Sequence, residues 1–472
     1  MFGLSTGLTI LLITCIVLAL AFEFINGFHD TANAVATVIF TRSLKPGPAV
    51  ILSGIMNFCG VYLGGIAVAM GIINLLPMNV LVDQNITLSL AMVLSLIITA
   101  TIWNLGTWWF GLPCSSSHTL IGSIFGVGLA YSFLPGNMGV ALNWHKVQEV
   151  LLSLLISPVI GFGLSFGLII LLKKILEKDN KIFDSPKQKE KPPVWIRWTI
   201  IGTSALVSLT HGSNDGQKGV GLIMIILIVL LPFNFAIDSH KDLNKLNTSI
   251  TQFENVLSSV DTTSLTIENR LSLQIINSRI DRIQYILNST FDPSTITKEE
   301  RVVIRKEILL LAKEFDKVTK SEPDRPKINF ESSQLSELKE SLAKVKGYTE
   351  YAPPWVIFMV SLALGLGTMI GWKRIVMTIG TKIGKSPLTY AQGAASSLVA
   401  ASTIWMSSLL GLPVSTTHVL SSGIAGTMVA KKRKGNLKLK SVRNIAIAWL
   451  ITLPITIVMS AGIFVLLWFL IK

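Results

Sequence analysis

Runs of about twenty apolar residues recur along this 472-residue chain, and no other feature limits its fold more. A helix of that length crosses the ~30 Å hydrocarbon core of a bilayer. In lipid every backbone N–H and C=O must find a partner within the protein. Such segments therefore fold as helices, and irregular backbone survives only inside protein or beside a polar cavity. Charged residues make up 14% of the chain, against about 25% in an average soluble domain. The expected class is an all-α polytopic membrane protein. No Lys or Arg precedes Arg42, so the first apolar run lacks the basic start of a cleaved signal and is expected to stay in the membrane.

The chain carries 41 basic and 27 acidic residues, a formal charge of +14. The positions of these charges decide their meaning. Basic clusters lie at Arg42 and Lys45, Lys173 to Lys191, Lys373 to Lys385, and Lys431 to Arg443, all in short turns beside apolar runs. That is the pattern of cytoplasmic loops under the positive-inside rule. The expected partner is the lipid bilayer, not nucleic acid. Cys15, Cys59 and Cys114 all sit in apolar stretches, and with no CxxC pair they offer neither a disulfide framework nor a zinc site.

Loop charges orient the spans. One runs from about residue 7 to 40, interrupted by "NGFHD", and ends inside; another, about 49 to 76, goes out. The region from about 86 to 131 starts and ends outside, and a span from about 147 to 172 returns inward. The second half mirrors this with spans at about 195 to 235, interrupted by "HGSND", and 354 to 372, a region at 388 to 430 that starts and ends inside, and a last span at 445 to 470. The reading is an inverted-topology repeat with two broken helices and two re-entrant hairpins. The expected units are membrane repeat 1 (1–175), a basic cytoplasmic linker (176–194), the start of repeat 2 (195–235), an extracytoplasmic helical insert (236–352) and the rest of repeat 2 (353–472). Both termini are expected outside. In the insert, Leu243, Leu246, Ile250, Phe253 and Leu257 recur at helical spacing, and "TKEE" at Thr297–Glu300 has the pattern of a capping box.

Two motifs carry the chemistry. "GLPCSSSHTLIGSIFG" from Gly111 and "GLPVSTTHVLSSGIAG" from Gly411 share eight of sixteen positions. A Gly-Pro turn followed by small hydroxyl residues suits a hairpin whose second arm begins near Ser115 or Ser415. The free N–H groups of a helix start attract anions, and Ser116, Ser117, Thr416 and Thr417 add hydroxyl donors. Small-residue helix packing would explain one such motif; two inverted copies point to one shared oxyanion site. "GFHDTANAV" from Gly27 aligns with "GSNDGQKGV" from Gly212 at an offset of 185. An acid repels an oxyanion, so Asp30 and Asp215 are expected to hold a coupling cation, or to cap broken helix ends. They are also the candidate metal ligands. His29, His118, His211 and His418 titrate near neutrality when unperturbed; His29 is the preferred proton candidate, and His118 and His418 are expected to brace the hairpins. Glu23 has no repeat partner, and its expected role is structural or in a proton relay.

These motifs resemble the inorganic phosphate transporter (Pit) family, and "FEFINGFHDTANAVATVIF" and "GYTEYAPPW" resemble its bacterial low-affinity branch. The resemblance covers both membrane halves. It implies uptake of inorganic phosphate coupled to a cation gradient, a bacterial cytoplasmic-membrane location and a homodimer. It also implies proton symport of phosphate as a neutral complex with a divalent metal, and no bound cofactor. The family's paired Asp falls on Asp30 and Asp215, and its hairpin residues on Ser115, Ser116, Ser117, Ser415, Thr416 and Thr417. Its Asn three after each Asp is Asn33 in the first repeat, whereas Lys218 stands in the second. The Asn before the Asp is Asn214 in the second repeat, whereas His29 stands in the first. Sodium-coupled members carry a Glu where this chain has Asn57. A fixed ammonium at Lys218 and a titratable His29 both favour protons over sodium, with a sodium-coupled symporter as the alternative.

Other classes fit less well. An intramembrane serine hydrolase lacks a G-x-S-x-G elbow. "GTKIGKS" from Gly380 has one residue too few between its first two glycines for a P-loop, which argues against an ATP-driven pump. A passive anion channel would not need mirrored half-sites.

Overall fold

The computed structural model describes residues 5–471 except 77–85, 135–141, 177–180, 187–190, 262–264, 290–294 and 320–326; for 31–33, 86, 381–382 and 431–434 it describes the backbone alone. The first half comprises α1 (Thr6–Phe40), α2 (Pro46–Leu63), α3 (Ala67–Ile73), α4 (Ile86–Trp109), α5 (Ser116–Ser132) and α6 (Trp144–Ile175). The second begins with α7 (Val194–His211), a π-helical turn at Gly212–Gly216, and α8 (Gln217–Leu230). An insert follows, with α9 (Leu243–Ser258), α10 (Ile267–Asn288), α11 (Lys298–Thr319) and α12 (Ser332–Lys346). The chain then resumes with α13 (Pro354–Thr368), α14 (Lys373–Lys382), α15 (Tyr390–Leu409), α16 (Thr416–Lys432) and α17 (Leu439–Ile471). Among the described residues no strand forms.

Among the described residues six helices are long and apolar enough to cross a membrane, α7 and α8 counting as one, and a seventh span results if α13 and α14, bent by 65°, count as one. The outer helices turn apolar side chains outward: Leu155 and Val159 of α6 are 65% and 70% exposed, Leu450 and Val458 of α17 71% and 72%. Water would penalise that shell, and lipid favours it. The interior holds polar residues instead, Asp30, Asp215 and Lys218 among them.

The structure corrects the expected broken helices. α1 continues unbroken through Gly27–Asp30, and the chain at Gly212–Gly216 widens into a π turn without leaving the helix. Gly27 has no room for a Cβ beside Leu364 O and Thr368 N of α13, nor Gly212 beside Asn57 of α2. These glycines admit a neighbouring helix. The breaks fall in the next helices, where Gly65 (φ 76°) separates α2 from α3 and Gly371 (φ 73°) separates α13 from α14. A left-handed φ suits glycine because other residues clash there. Gly111 (φ 63°) and Gly411 (φ 65°) turn the chain from α4 into α5 and from α15 into α16.

Two apolar clusters flank the middle of the membrane body. α1 gives Leu12–Phe22 to the first and Ala34–Val38 to the second, with Asp30 between. The α7–α8 stretch gives Ile196–Val207 to the second and Val220–Val229 to the first, with Asp215 between. The two stretches therefore run in opposite directions. α5 lies in the first cluster and α16 in the second, so their N-terminal ends face each other across the seam. Helix packing comes in corresponding pairs: α5 on α17 and α16 on α6, α1 on α13 and α7 on α2. The last glycine of each motif copy serves this contact. Gly126 lies against Ile457 O of α17, and Gly426 against Phe162 O of α6.

The insert has its own core. Leu243, Leu246, Ile250, Phe253 and Leu257 are all buried in it, with Ile276, Ile280 and Ile283 of α10 and Ile308, Leu311 and Phe315 of α11. α11 starts on a reciprocal cap: Glu300 N–H donates to Thr297 Oγ1 (3.2 Å), and Thr297 N–H donates to Glu300 Oε2 (2.8 Å). The Thr297 hydroxyl also donates to this carboxylate and holds it below its usual range. At the neck, Asp238 N–H donates to Tyr348 O (2.9 Å). Buried Arg305 gives hydrogen bonds to Ala236 O and Thr349 O, both 3.1 Å, and to Phe235 O at 3.5 Å. Burial pushes the guanidinium down to about 10, so it stays charged at neutral pH.

Arg305→Met keeps the bulk and removes the donor from three carbonyls. It is expected to lower the stability of the insert by about 1.5–3 kcal/mol, read as an earlier thermal transition and faster proteolysis within 236–352. An unchanged transition would show that the neck does not depend on this residue.

Candidate functional site

The seam between the two clusters gathers the motif residues. α5 and α16 begin there, and Ser115 and Ser415 are their N-caps: the Ser115 Oγ accepts from His118 N–H (3.2 Å), and the Ser415 Oγ from His418 N–H (3.1 Å). Such a cap ties the first turn and leaves the remaining early amides unpaired within the helix. The next hydroxyls reach the acids. Ser116 Oγ donates to Asp30 Oδ2 at 2.6 Å and lies 3.5 Å from Asp215 Oδ2. Thr417 Oγ1 donates to Asp30 Oδ1 (2.9 Å), and Thr416 Oγ1 to Asp215 Oδ2 (3.4 Å). Each carboxylate is thus bonded by both hairpins. All these residues are buried.

Positive groups balance the acids. Lys218 Nζ lies 2.6 Å from Asp215 Oδ1, three residues along the same helical stretch. It also donates to Ser117 Oγ (2.5 Å) and to Val414 O (3.4 Å), while Ser117 Oγ donates to Val414 O (2.7 Å). One ammonium therefore ties Asp215 to Ser117 of α5 and to Val414 before α16. His29 Nδ1 lies 3.1 Å from Asp30 Oδ1, and its Nε2 3.1 Å from Thr107 Oγ1. Thr107 has a single hydroxyl proton and also lies 2.9 Å from Trp103 O. If it donates to that carbonyl, its oxygen accepts from His29 Nε2–H.

Other sequence candidates take different places. Asn214 faces the second hairpin turn: its amide donates to Ser408 Oγ (3.0 Å) and Leu412 O (3.2 Å), and its Oδ1 accepts from Val414 N–H (3.3 Å). It is a staple for the turn. The side chain of Asn33 lies outside the described residues. His118 and His418 lie with ring centroids 4.5 Å apart and planes tilted by 41°, and His418 stacks on the Trp449 ring at 3.9 Å, so the two histidines meet where the hairpin turns approach. Asn57 Nδ2 donates to Thr368 Oγ1 (2.8 Å), and its Oδ1 faces His211 Nδ1 at 2.9 Å.

One motif histidine, read from sequence only as a titratable group, stands against the acids. His211 turns Nε2 to within 3.4 Å of Asp215 Oδ2. Ligand atoms of Asp30, His211 and Asp215 all lie within 4.8 Å of one another. Two carboxylate oxygens and an imidazole nitrogen form a donor set suited to a divalent cation. The signal was present in "HGSND", since a residue four before Asp215 shares its helix face.

The phosphate transporter family model matches residues 26–460. The low-affinity inorganic phosphate transporter PitB of Escherichia coli (strain K12) is 40% identical over 497 residues, covering 98% of this chain and 97% of that protein. A probable low-affinity inorganic phosphate transporter of Bacillus subtilis (strain 168) is 29% identical, covering 96% and 95%. A solved structure titled "The sodium-dependent phosphate transporter" superposes with a TM-score of 0.55 at 20% identity, covering 97% of this chain and 98% of that one; it shares the fold. These relatives are transporters, not enzymes. With the family model spanning most of the chain, this protein belongs to the phosphate transporter family.

Proposed function

We propose that the protein imports inorganic phosphate by proton symport, with access alternating between the two membrane faces around the seam. The observation that carries this reading is the convergence of the α5 and α16 N-terminal ends, from opposite apolar clusters, on Asp30 and Asp215. A tetrahedral oxyanion needs several donors from different directions. Early amides of two facing helices, with Ser116, Ser117, Thr416, Thr417 and the Lys218 ammonium, supply them. The opposed directions of α1 and α7–α8 and the corresponding helix pairs support an inverted repeat, whose exchange of conformations between halves would open the site to one face and then the other. In this reading the hairpins are re-entrant, the insert and both termini lie outside the cytoplasm, and the basic turns lie inside.

Lys218 explains the choice of coupling ion. Its ammonium already satisfies Asp215, so it stands where a bound sodium would sit, and a permanent cation repels a mobile one. Asp30, Asp215 and His211 would receive a metal only as a neutral complex with phosphate, its cargo partner, since the phosphate charge offsets the repulsion that the ammonium exerts on a bare cation. Neutralising the anion before it enters a low-dielectric site reduces the desolvation cost.

Purified protein in sodium-free proteoliposomes is expected to accumulate phosphate when the outside is made acid, and not when a sodium gradient alone is imposed. Accumulation driven only by sodium would refute proton symport. Lys218→Asn leaves a buried carboxylate unpaired, a change of roughly 3–5 kcal/mol. It is expected to lower proton-driven uptake by more than about tenfold; wild-type coupling in that variant would remove Lys218 from the account. Ser116→Ala deletes a hydroxyl bonded to charge, worth about 1.5–3 kcal/mol. It should raise the phosphate concentration for half-maximal uptake about tenfold or more while expression stays normal, and an unchanged concentration dependence would exclude Ser116 from the cradle.

A further inference from the structure

We propose that Glu23 is the group that binds the transported proton. The inference rests on the proton-symport reading and adds the carrier to it.

Glu23 stands seven residues before Asp30 on α1 and is fully buried. Its carboxyl fills a notch opposite Gly219, where an added Cβ would overlap the Glu23 side chain. Gly219 directly follows Lys218, so the carboxyl lies against the stretch that carries the Asp215–Lys218 pair. Asn26 Nδ2 donates to Glu23 Oε2 over 3.4 Å, and Glu23 Oε1 has no partner. Among the described residues no cation pairs with it. The charged groups whose fields reach it are Asp215 and Lys218 from the helical stretch packed against α1, and Asp30 on α1 itself. A buried carboxylate left unpaired costs several kcal/mol, and a proton removes that charge.

Polar side chains follow Glu23 along α1 toward the seam. Asn26 follows one turn along α1, and His29 and Asp30 one turn further. α4 runs parallel to α1, because the N-terminal turns of both lie in the first apolar cluster and Trp108 packs on the second. Thr107 meets His29, and Asn104 lies one turn before Thr107, at the level of Asn26. The Asn26 Oδ1 and both amide atoms of Asn104 are buried without a partner.

The coupling follows from charge. Asp30 and Asp215 have His29 and Lys218 against them, so a Glu23 carboxylate is the charge left without a counter-ion, and it opposes the phosphate oxygens. A proton arriving from the outer solution converts the Glu23 carboxylate to the neutral acid and removes that charge, so phosphate binds better. By linkage, bound phosphate holds the proton better. After access changes, phosphate leaves, its negative field no longer holds the proton, and Glu23 releases the proton to the inner solution.

The test uses full-length protein in sodium-free proteoliposomes, with radiolabelled phosphate. In the wild type, an acid-outside gradient should drive accumulation of about tenfold per pH unit for one proton. Glu23→Gln should keep phosphate exchange at equal pH on both sides and lose gradient-driven accumulation, reaching a ratio of about one. Wild-type accumulation by Glu23→Gln would overturn the proposal. If that variant also lacks exchange, Glu23→Asp decides. Coupled uptake with a displaced pH profile supports the proposal, and coupled uptake with an unchanged profile, or none at all, overturns it. A wild type that ignores the pH gradient would sink the symport reading itself, a result distinct from failure of the variant alone.

Discussion

Two carboxylates buried a few ångströms apart repel each other strongly where the dielectric is low, and the rest of this structure is arranged around that repulsion. Asp30 and Asp215 share the hydroxyl of Ser116. Lys218 and His29 each sit against one of them. None of these partners is near in sequence to all the others: they arrive from α1, the α7–α8 stretch and both hairpins. The acids therefore hold the two halves of the membrane body to one register. Removing either acid would leave donors from distant helices facing each other without an acceptor, which is why its effects should extend beyond the site.

Most of the architecture could be read from the chain itself. Apolar runs located the helices, and the duplicated motifs brought Asp30, Asp215, Ser116, Thr416 and Thr417 into one site, as the structure does. Helical spacing picked out the buried face of α9, and "TKEE" formed the expected cap. What could not be read were contacts decided far along the chain. A glycine in the sequence signals a need for space or for an unusual φ, and the letter alone does not say which. Gly27 meets α13 and Gly212 meets α2, so neither breaks its helix, whereas Gly65 and Gly371 do. The same holds for polar residues. Ser115 and Ser415 look like their hydroxyl neighbours in the motif, yet the helix start claims them as caps. Asn214 adjoins Asp215 and yet faces the hairpin turn.

Small residues decide how closely this body can pack. Gly126 and Gly426 sit at the same place in the two motif copies, and each admits the backbone of the last span of the other half. Without a hydrophobic drive between helices in lipid, such close van der Waals contact carries much of the association. The same contacts fix where the second hairpin arms begin, so the helix ends at the seam are positioned from the periphery inward.

The neck of the insert has a mechanical consequence. Arg305 clamps the chain leaving α8 to the chain entering α13, so these two helices share one tied end. The π turn at Gly212–Gly216 and the bend at Gly371 lie at the opposite ends of these helices, so the fastening that Arg305 makes between α8 and α13 is at the end remote from Asp215.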